Sequence, residues 1–419
     1  MLRYPALFAY GLFGMPLAMA ALPIYVHLPK FYGDHMGVPL AALGGVLLLL
    51  RLADGVIDPV LGAWSDRAGS RKRLIALAVP VLAVGMVALF APQVSGTVPL
   101  LAWLGVALAA VYLAFSLATI SHNAWGAELS RDPVERTRIT AMREGLALSG
   151  VVIASVAPAL IGGDGGEAAG LPRFAFGYAL FLLLCAAITL GVAPAVGRSR
   201  DLRQFRFADM AAPLKDPTFR RLLWAFMANG IASAIPATLV LFYIADVLQV
   251  EGRQGLFLAL YFIAGAAGMP LWVKLSARLG KVRAWRVAMA VAIAAFVWAA
   301  SLGAGDAAAF AVICALSGLA LGADLAIPPS LLADVIGRDG RMHGTGTYFG
   351  LWTLATKLNL ALAAGIALPL LGYLGYSPGS RDPAAVHALA LVYAAAPCVL
   401  KICAIAALHQ FAQHFKESL

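Results

Sequence analysis

Three ionisable side chains stand together in the apolar stretch LLLLRLADGVIDPVLGAW: Arg51, Asp54 and Asp58. Spacings of three and four put them on one face of a helix. At the centre of a membrane helix each such charge costs about 2.5–3.5 kcal/mol on insertion scales, so the group needs compensation. Arg51 balances one carboxylate by pairing with Asp54, and a deficit of one positive charge remains. A sodium ion or a proton would supply it. Hard cations take oxygen ligands, and burial or a like charge makes a carboxylate accept a proton. The alternative is an Arg–Asp network that serves architecture only.

Other polar residues lie in apolar surroundings. Lys357, in YFGLWTLATKLNLALAAGIALPLL, needs an anionic partner, which Asp54, Asp58 or an acidic ligand group would provide. Trp352, just over one helical turn earlier, either stacks a ring or packs against lipid. Arg143 reads as a ligand contact or as a basic anchor at the membrane edge. Lys401 in VLKICAIAAL is expected to snorkel to water, and Asp324 in LALGADLAIPP either to pair with Lys357 or Lys401 or meet a ligand, or to serve structure only. Tyr25, His27, His122 and Asn123 are cavity candidates, although a membrane histidine more often caps a backbone group. There is no glycine-rich phosphate loop of the Walker type, no metal-ligand pattern and no serine beside a base. These absences argue against an ATP-driven pump and against an intramembrane enzyme. Cys185, Cys314, Cys398 and Cys403 read as small core residues.

The elements that must position these groups follow from composition. Of 419 residues, 62% are hydrophobic and 12% charged, where a soluble domain carries about 25% charged. The apolar residues form runs near the ~20 residues a membrane crossing needs. They fall at 6–29, 39–64, 74–93, 98–126, 144–163, 174–197, 222–247, 255–275, 286–305, 308–332, 347–375 and 384–410. The N-terminal run lacks a small-residue cleavage site and reads as the first span. The expected architecture is all-α and integral to the membrane, with twelve transmembrane helices in two pseudo-symmetric six-helix bundles, 1–197 and 222–419. The polar segment 198–221 joins them. Of 31 lysines and arginines, 24 fall in loops on the side of the termini and four in the opposite loops. The positive-inside rule places both termini and the central segment in the cytoplasm. That distribution also explains the net charge of +10 without nucleic acid.

The halves resemble each other. Aligning Pro59 with Pro270 aligns Arg67 with Arg278 and Gly69 with Gly280, while Asp54 falls opposite Gly265 and Asp58 opposite Met269. Whatever the two carboxylates do, one half does it alone.

GAWSDRAGSRKR (Gly62 to Arg73) resembles the signature loop after the second helix of the major facilitator superfamily. RLADGVIDP (Arg51 to Pro59) is similar to the cation motif of the glycoside-pentoside-hexuronide cation symporters, the melibiose permease family. GAELSRDPVERTRITAMRE (Gly126 to Glu144) and LLADVIGRDGRMHGTGTYFGLWTLATK (Leu331 to Lys357) are similar to further segments of that family. The resemblance implies alternating access around a central cavity, with the functional unit a monomer. It implies that Asp54 and Asp58 bind the cation, that Arg143 and Lys357 approach substrate, and that Asp66, Arg67 and Arg71 belong to a cytoplasmic gate. Asp66 is expected to bridge Arg67, Arg71 or an arginine after the fourth span through a partly exposed contact.

The chain departs from the family pattern at three places. Ile57 replaces an asparagine beside the second carboxylate, Thr119 stands at a carboxylate position, and Pro16 replaces a sugar-gripping aspartate. Ser116 and Thr119 still offer hydroxyls one turn apart. The loss of an amide and a carboxylate favours H+ over Na+ as coupling ion, with no other cofactor or metal. Pro16 argues against a melibiose-like sugar. The expected activity is cation-coupled symport of a small polar organic solute, anionic where Arg143 and Lys357 face it. The alternatives are sodium-coupled transport of a lysolipid-like amphipath and a non-transporting receptor. The expected location is the cell membrane, the inner membrane if the source is bacterial.

Overall fold

The computed structural model describes residues 2–163, 166–196, 207–250, 253–338, 344–376 and 379–417, and these are helical apart from short connections. Hydrocarbon offers no water to a peptide N–H or C=O, so long apolar runs must close their hydrogen bonds within helices. The helices are α1 (Tyr4–Leu12 and, past a break at Phe13, Gly14–Leu22), α2 (Leu40–Arg67), α3 (Arg71–Phe90), α4 (Thr97–Glu128), α5 (Pro133–Gly162) and α6 (Gly166–Val192), followed by α7 (Pro217–Phe242), α8 (Gln254–Leu279), α9 (Lys281–Ala299), α10 (Ala307–Gly337), α11 (Thr345–Tyr373) and α12 (Pro383–Glu417). Large side chains such as Leu49, Val56, Val84, Val106 and Leu160 are exposed. Apolar surface on this scale requires a hydrocarbon solvent. The chain is a multi-pass membrane protein.

Among the described residues, eleven helices are long and apolar enough to cross a membrane. The sequence led us to expect twelve. The helix outside that set is α2, which is 28 residues long but has its apolar run interrupted by Arg51, Asp54 and Asp58. A second difference concerns α5, which begins at Pro133 and not near residue 144. The segment PVERTRITAMRE is too polar to register as membrane, yet it forms helix. Proline suits the first helical position, and Glu135 in the first turn complements the helix dipole. Residues 198–206 of the polar segment lie outside the described residues. Phe207–Lys215 forms a 3₁₀ stretch, after which Asp216 caps α7 by accepting from Thr218 N at 2.8 Å.

The chain groups into two compact units, Met1–Met210 with Asp339–Leu354, and Ala211–Arg338 with Ala355–Leu419. The first turns of α11 therefore belong with the first unit. Within that unit α2 packs on α4, α3 on α4 and α6, and α1 on α6. Within the second, α8 packs on α10, α9 on α10 and α12, and α7 on α12. These four pairings in one unit are the other's shifted by six helices, whereas the packing of α5 on α1 and α6 is not matched by α11 in the second. The aligned glycines have a structural reason, since Gly69 has φ 71° and Gly280 has φ 83°. Both end a helix in the left-handed region that glycine enters without strain. A second repeated device lies at the opposite ends. Tyr32 Oη donates to Leu89 O at 3.0 Å, riveting the end of the first span to α3. Tyr243 Oη donates to Ala299 O at 2.6 Å, riveting α7 to α9. Both tyrosines sit in π turns, Phe31–His35 and Tyr243–Val247, and a further π turn occupies Pro23–His27.

Candidate functional site

Helix α2 presents Asp54 and Asp58 on one face, and both are buried, at 4% and 0% exposure. Arg51, on the same face of the ideal helix, is exposed. Helix α4 brings Ser116 against Asp54, its Oγ donating to Oδ1 at 3.0 Å. Thr119, one turn on, has a buried Oγ1 with no hydrogen-bond partner among the described residues. Two buried carboxylates and two hydroxyls thus belong to one α2–α4 pair, and all four carry oxygen, the ligand type that a hard cation takes. The fully buried Asp58 is held in a tight place. A Cβ on Gly350 of α11 would stand 2.7 Å from the Asp58 carbonyl oxygen.

The end of α2 carries a second polar network. Asp66 Oδ1 accepts from Gly346 N at 2.6 Å and from Arg71 Nη2 at 2.8 Å. Its Oδ2 accepts from both Thr347 N and Thr347 Oγ1 at 2.8 Å. The carboxylate therefore caps the N-terminus of α11, where free N–H groups and the helix dipole favour an anion. Arg71 also donates to Glu128 at the end of α4, at 2.8 Å, and to Ser65 at 2.5 Å. Ser65 in turn meets Ser121, Oγ to Oγ, at 3.0 Å. Arg67 donates to Ala63 O at 2.8 Å. The expected contact of Asp66 was a partly exposed one. At 7% exposure it is buried, because glycines let the backbones close around it. A Cβ on Gly62 would lie 2.3 Å from Gly346 O. Glu128 and the α11 terminus went unnoticed in the sequence, although GAEL and GTGTYFG end and begin their helices. The second unit keeps half of the device. Lys281 Nζ donates to Asp334 Oδ2 at 2.5 Å, joining α9 to α10 as Arg71–Glu128 joins α3 to α4.

Arg143 is buried on α5 and makes two hydrogen bonds to Glu144 Oε1, from Nε at 3.0 Å and from Nη2 at 2.5 Å. It lies against α1, where a Cβ on Gly14 would come within 2.9 Å of its Cγ. Asn123 on α4 is half-buried and Trp352 on α11 is buried, both in the first unit. Lys357, farther along α11, is half-buried in the second. Tyr25 lies in the Pro23–His27 turn, and its side chain falls outside the described residues. His122 is a backbone cap: its Nε2 meets Tyr10 O at 2.9 Å, while Tyr10 Oη donates to His122 O at 2.9 Å. Gly126 makes room for that pair, since a Cβ there would stand 1.9 Å from Tyr10 Oη. Gly126→Ala is accordingly expected to cost about 1–3 kcal/mol through overpacking, measured as a fall in unfolding temperature. An unchanged temperature would show that Tyr10 relaxes freely.

Lys401 does not snorkel. It is 1% exposed and lies well inside the 35-residue α12. Its Nζ donates to Asn229 Oδ1 at 2.7 Å, Ser233 Oγ at 3.1 Å and Asp324 Oδ2 at 3.1 Å. Asp324, expected to pair with Lys357 or Lys401 or to meet a ligand, is thus found with Lys401. Its Oδ1 accepts from Trp285 Nε1 at 2.8 Å. With acceptors this close, the amine had no reason to reach for the helix end.

Residues 7–412 match the family described as MFS/sugar transport protein. The chain belongs to that family. It is 24% identical over 417 residues to the uncharacterized symporter YjmB of Bacillus subtilis (strain 168), an alignment covering 92% of this chain and 87% of YjmB. It is 24% identical over 419 residues to the sphingosine-1-phosphate transporter MFSD2B of Mus musculus, covering 90% and 82%. Among solved structures it resembles a bacterial homologue of the iron transporter ferroportin in an outward-facing state. That likeness has a TM-score of 0.71 at 17% identity, covers 98% and 100% of the two chains, and speaks for the fold alone. Fold and kinship make this family member a secondary transporter of a small molecule, not an enzyme.

Proposed function

We propose that the protein is a cation-coupled symporter working by alternating access, with the cation held at Asp54 and Asp58. The observation that carries this reading is the pair of buried carboxylates on α2, of which Asp54 accepts from the Ser116 hydroxyl of α4. On this reading α2 is the twelfth span, tolerated in the bilayer because its charges face oxygen ligands and an ion. Both termini are cytoplasmic, and 1–197 and 222–419 are the two working halves. The motifs at Arg51–Pro59, Gly126–Glu144 and Leu331–Lys357 support a place beside the melibiose permease family. Substrate sits near Asn123, Arg143, Trp352, Lys357 and Tyr25. It is a small polar solute whose anionic group draws on Lys357 and, once Glu144 gives way, on Arg143. Asp66, Arg67 and Arg71 form the cytoplasmic gate.

The proton is the favoured ion. Sodium prefers a fuller cage of oxygens, and Ile57 and Thr119 withhold an amide and a carboxylate. Uptake into vesicles should follow an imposed pH gradient and be indifferent to replacing sodium with choline. Strict sodium dependence at constant pH would reverse the choice of ion. A second reading, transport of a lysolipid-like amphipath, is favoured by the kinship with a sphingosine-1-phosphate transporter. A thermal-shift screen separates the two, since whichever ligand binds the folded state raises its unfolding temperature.

A further inference from the structure

Positive charge gathers where α7 begins. Lys215 ends the 3₁₀ stretch before the helix, Arg220 and Arg221 lie in its first two turns, and Arg338 closes α10 beside it. Arg338 Nη1 donates to Thr218 Oγ1 at 2.7 Å, which fixes the end of α10 against the first turn of α7. Arg220 Nη1 donates to Leu214 O at 3.2 Å. The adjacent acid, Asp216, caps α7 through its Oδ1. Arg221 is different. It is half-buried, and its Nη1 is enclosed and meets no acceptor among the described residues.

A charged donor shut away from water without an acceptor is costly, so the place suits an anion. Its setting says which kind. Trp224 falls between Arg220 and Arg221 on the helix surface, one turn farther into the membrane, and is 70% exposed. A tryptophan open to lipid near the end of a span sits at head-group level. A soluble anion would engage the arginines and leave the indole idle. A phospholipid engages both, because guanidinium takes phosphate through paired hydrogen bonds and the ring packs on the ester region and upper chain. The positive-inside rule assigns this side to the cytoplasm. The cytoplasmic leaflet carries anionic lipids, and basic places between spans there receive their head groups.

We propose that Arg221, Arg220 and Trp224 form a binding site for one anionic phospholipid of the cytoplasmic leaflet. Its phosphate takes Nη1 of Arg221 and the guanidinium of Arg220, and its apolar body lies on the indole of Trp224. The lipid thereby holds the start of α7 at a fixed depth in the membrane. The site is separate from Asp54 and Asp58 and stands whichever ion is coupled.

Purified full-length protein in detergent, titrated with short-chain phosphatidylglycerol, should gain unfolding temperature saturably. Short-chain phosphatidylcholine should act more weakly, since its choline offsets the charge, and inorganic phosphate should not act at the same concentrations. Arg221→Gln should raise the half-saturating concentration about tenfold, as expected for one charge-assisted hydrogen bond, and Arg221→Lys should recover part of the loss. Arg283→Gln removes an exposed charge from the start of α9 and should leave the response unchanged. If it weakens the response as much as Arg221→Gln does, the attraction is diffuse and the proposal fails. An equal response to inorganic phosphate overturns the lipid as occupant. Binding as a transported substrate would be indifferent to Arg221→Gln, which overturns the site as well. Fluorescence gives a second reading. In nanodiscs holding a minor fraction of phosphatidylglycerol with brominated chains, the emission that Trp224→Phe removes should be quenched, and quenched less in Arg221→Gln. Equal quenching in Arg221→Gln and wild type would mean that Trp224 meets only bulk lipid, and the proposal would fall.

Discussion

Vesicles containing Asp58→Asn should equilibrate substrate without accumulating it. The amide keeps the size of the carboxylate in a site with no exposure to solvent, so folding and insertion survive. It cannot carry the negative charge that a proton or sodium ion would neutralise, so cation and substrate no longer move together. With one cation and one anionic substrate moving together no net charge crosses, so an imposed tenfold cation gradient, worth about 1.4 kcal/mol, sustains an accumulation of about tenfold. The variant should sustain none, while exchange and downhill flux continue. Asp54→Asn should lose accumulation as well and weaken the tie to Ser116 besides. Wild-type accumulation ratios in Asp58→Asn would sink the cation site and leave the carboxylates as architecture.

Asp66→Ala should release the first turn of α11 from α2. Three donors of α11 lose their acceptor at once, Gly346 N, Thr347 N and Thr347 Oγ1, while Arg71 keeps Glu128. Hydrogen bonds to a charged group contribute about 1.5–3 kcal/mol. Water satisfies the same donors once the helix end swings free, so one such increment, and not three, measures the net shift. That amounts to roughly a tenfold change in the conformational equilibrium or more. The other half cannot compensate, because Ala277 stands where Asp66 would be. Spin labels near the ends of α2 and α11 should report a longer, broader distance distribution. Turnover should fall further than substrate affinity, since Asp66 lies at the helix end, twelve and eight residues beyond Asp54 and Asp58. An unchanged distribution would reduce Asp66 to a residue that sets topology.

Much of this was legible in the sequence because hydrocarbon imposes so few solutions. Apolar runs had to be helices, and three charges at helical spacing had to share a face. What escaped reading has physical causes. The polar start of α5 escaped because hydropathy reports where a helix meets lipid, not where it begins. Lys401 was misplaced because snorkelling competes with any nearby acceptor, and its partners lie 77 and 168 or more residues away. The α11 terminus was missed as the partner of Asp66 because a backbone N–H has no letter in a sequence. The tyrosine rivets were visible in FYGD and FYIAD, yet one pattern holds an extra residue, which hides the match from simple alignment.

That extra residue bears on how the chain tolerates changes of length. A π turn holds about one residue more than an α turn, so the far ends of the first span and of α7 carry slack. A single-residue insertion or deletion there is absorbed by exchanging one kind of turn for the other. The helix below keeps its rotation, and so do the side chains it delivers. Within α2 there is no such reserve. One residue more or fewer between Asp54 and the end of the helix turns the carboxylate by about 100° relative to the Asp66 cap, away from Ser116. The molecule can thus vary in length at its rim but not along the helix that carries its charges.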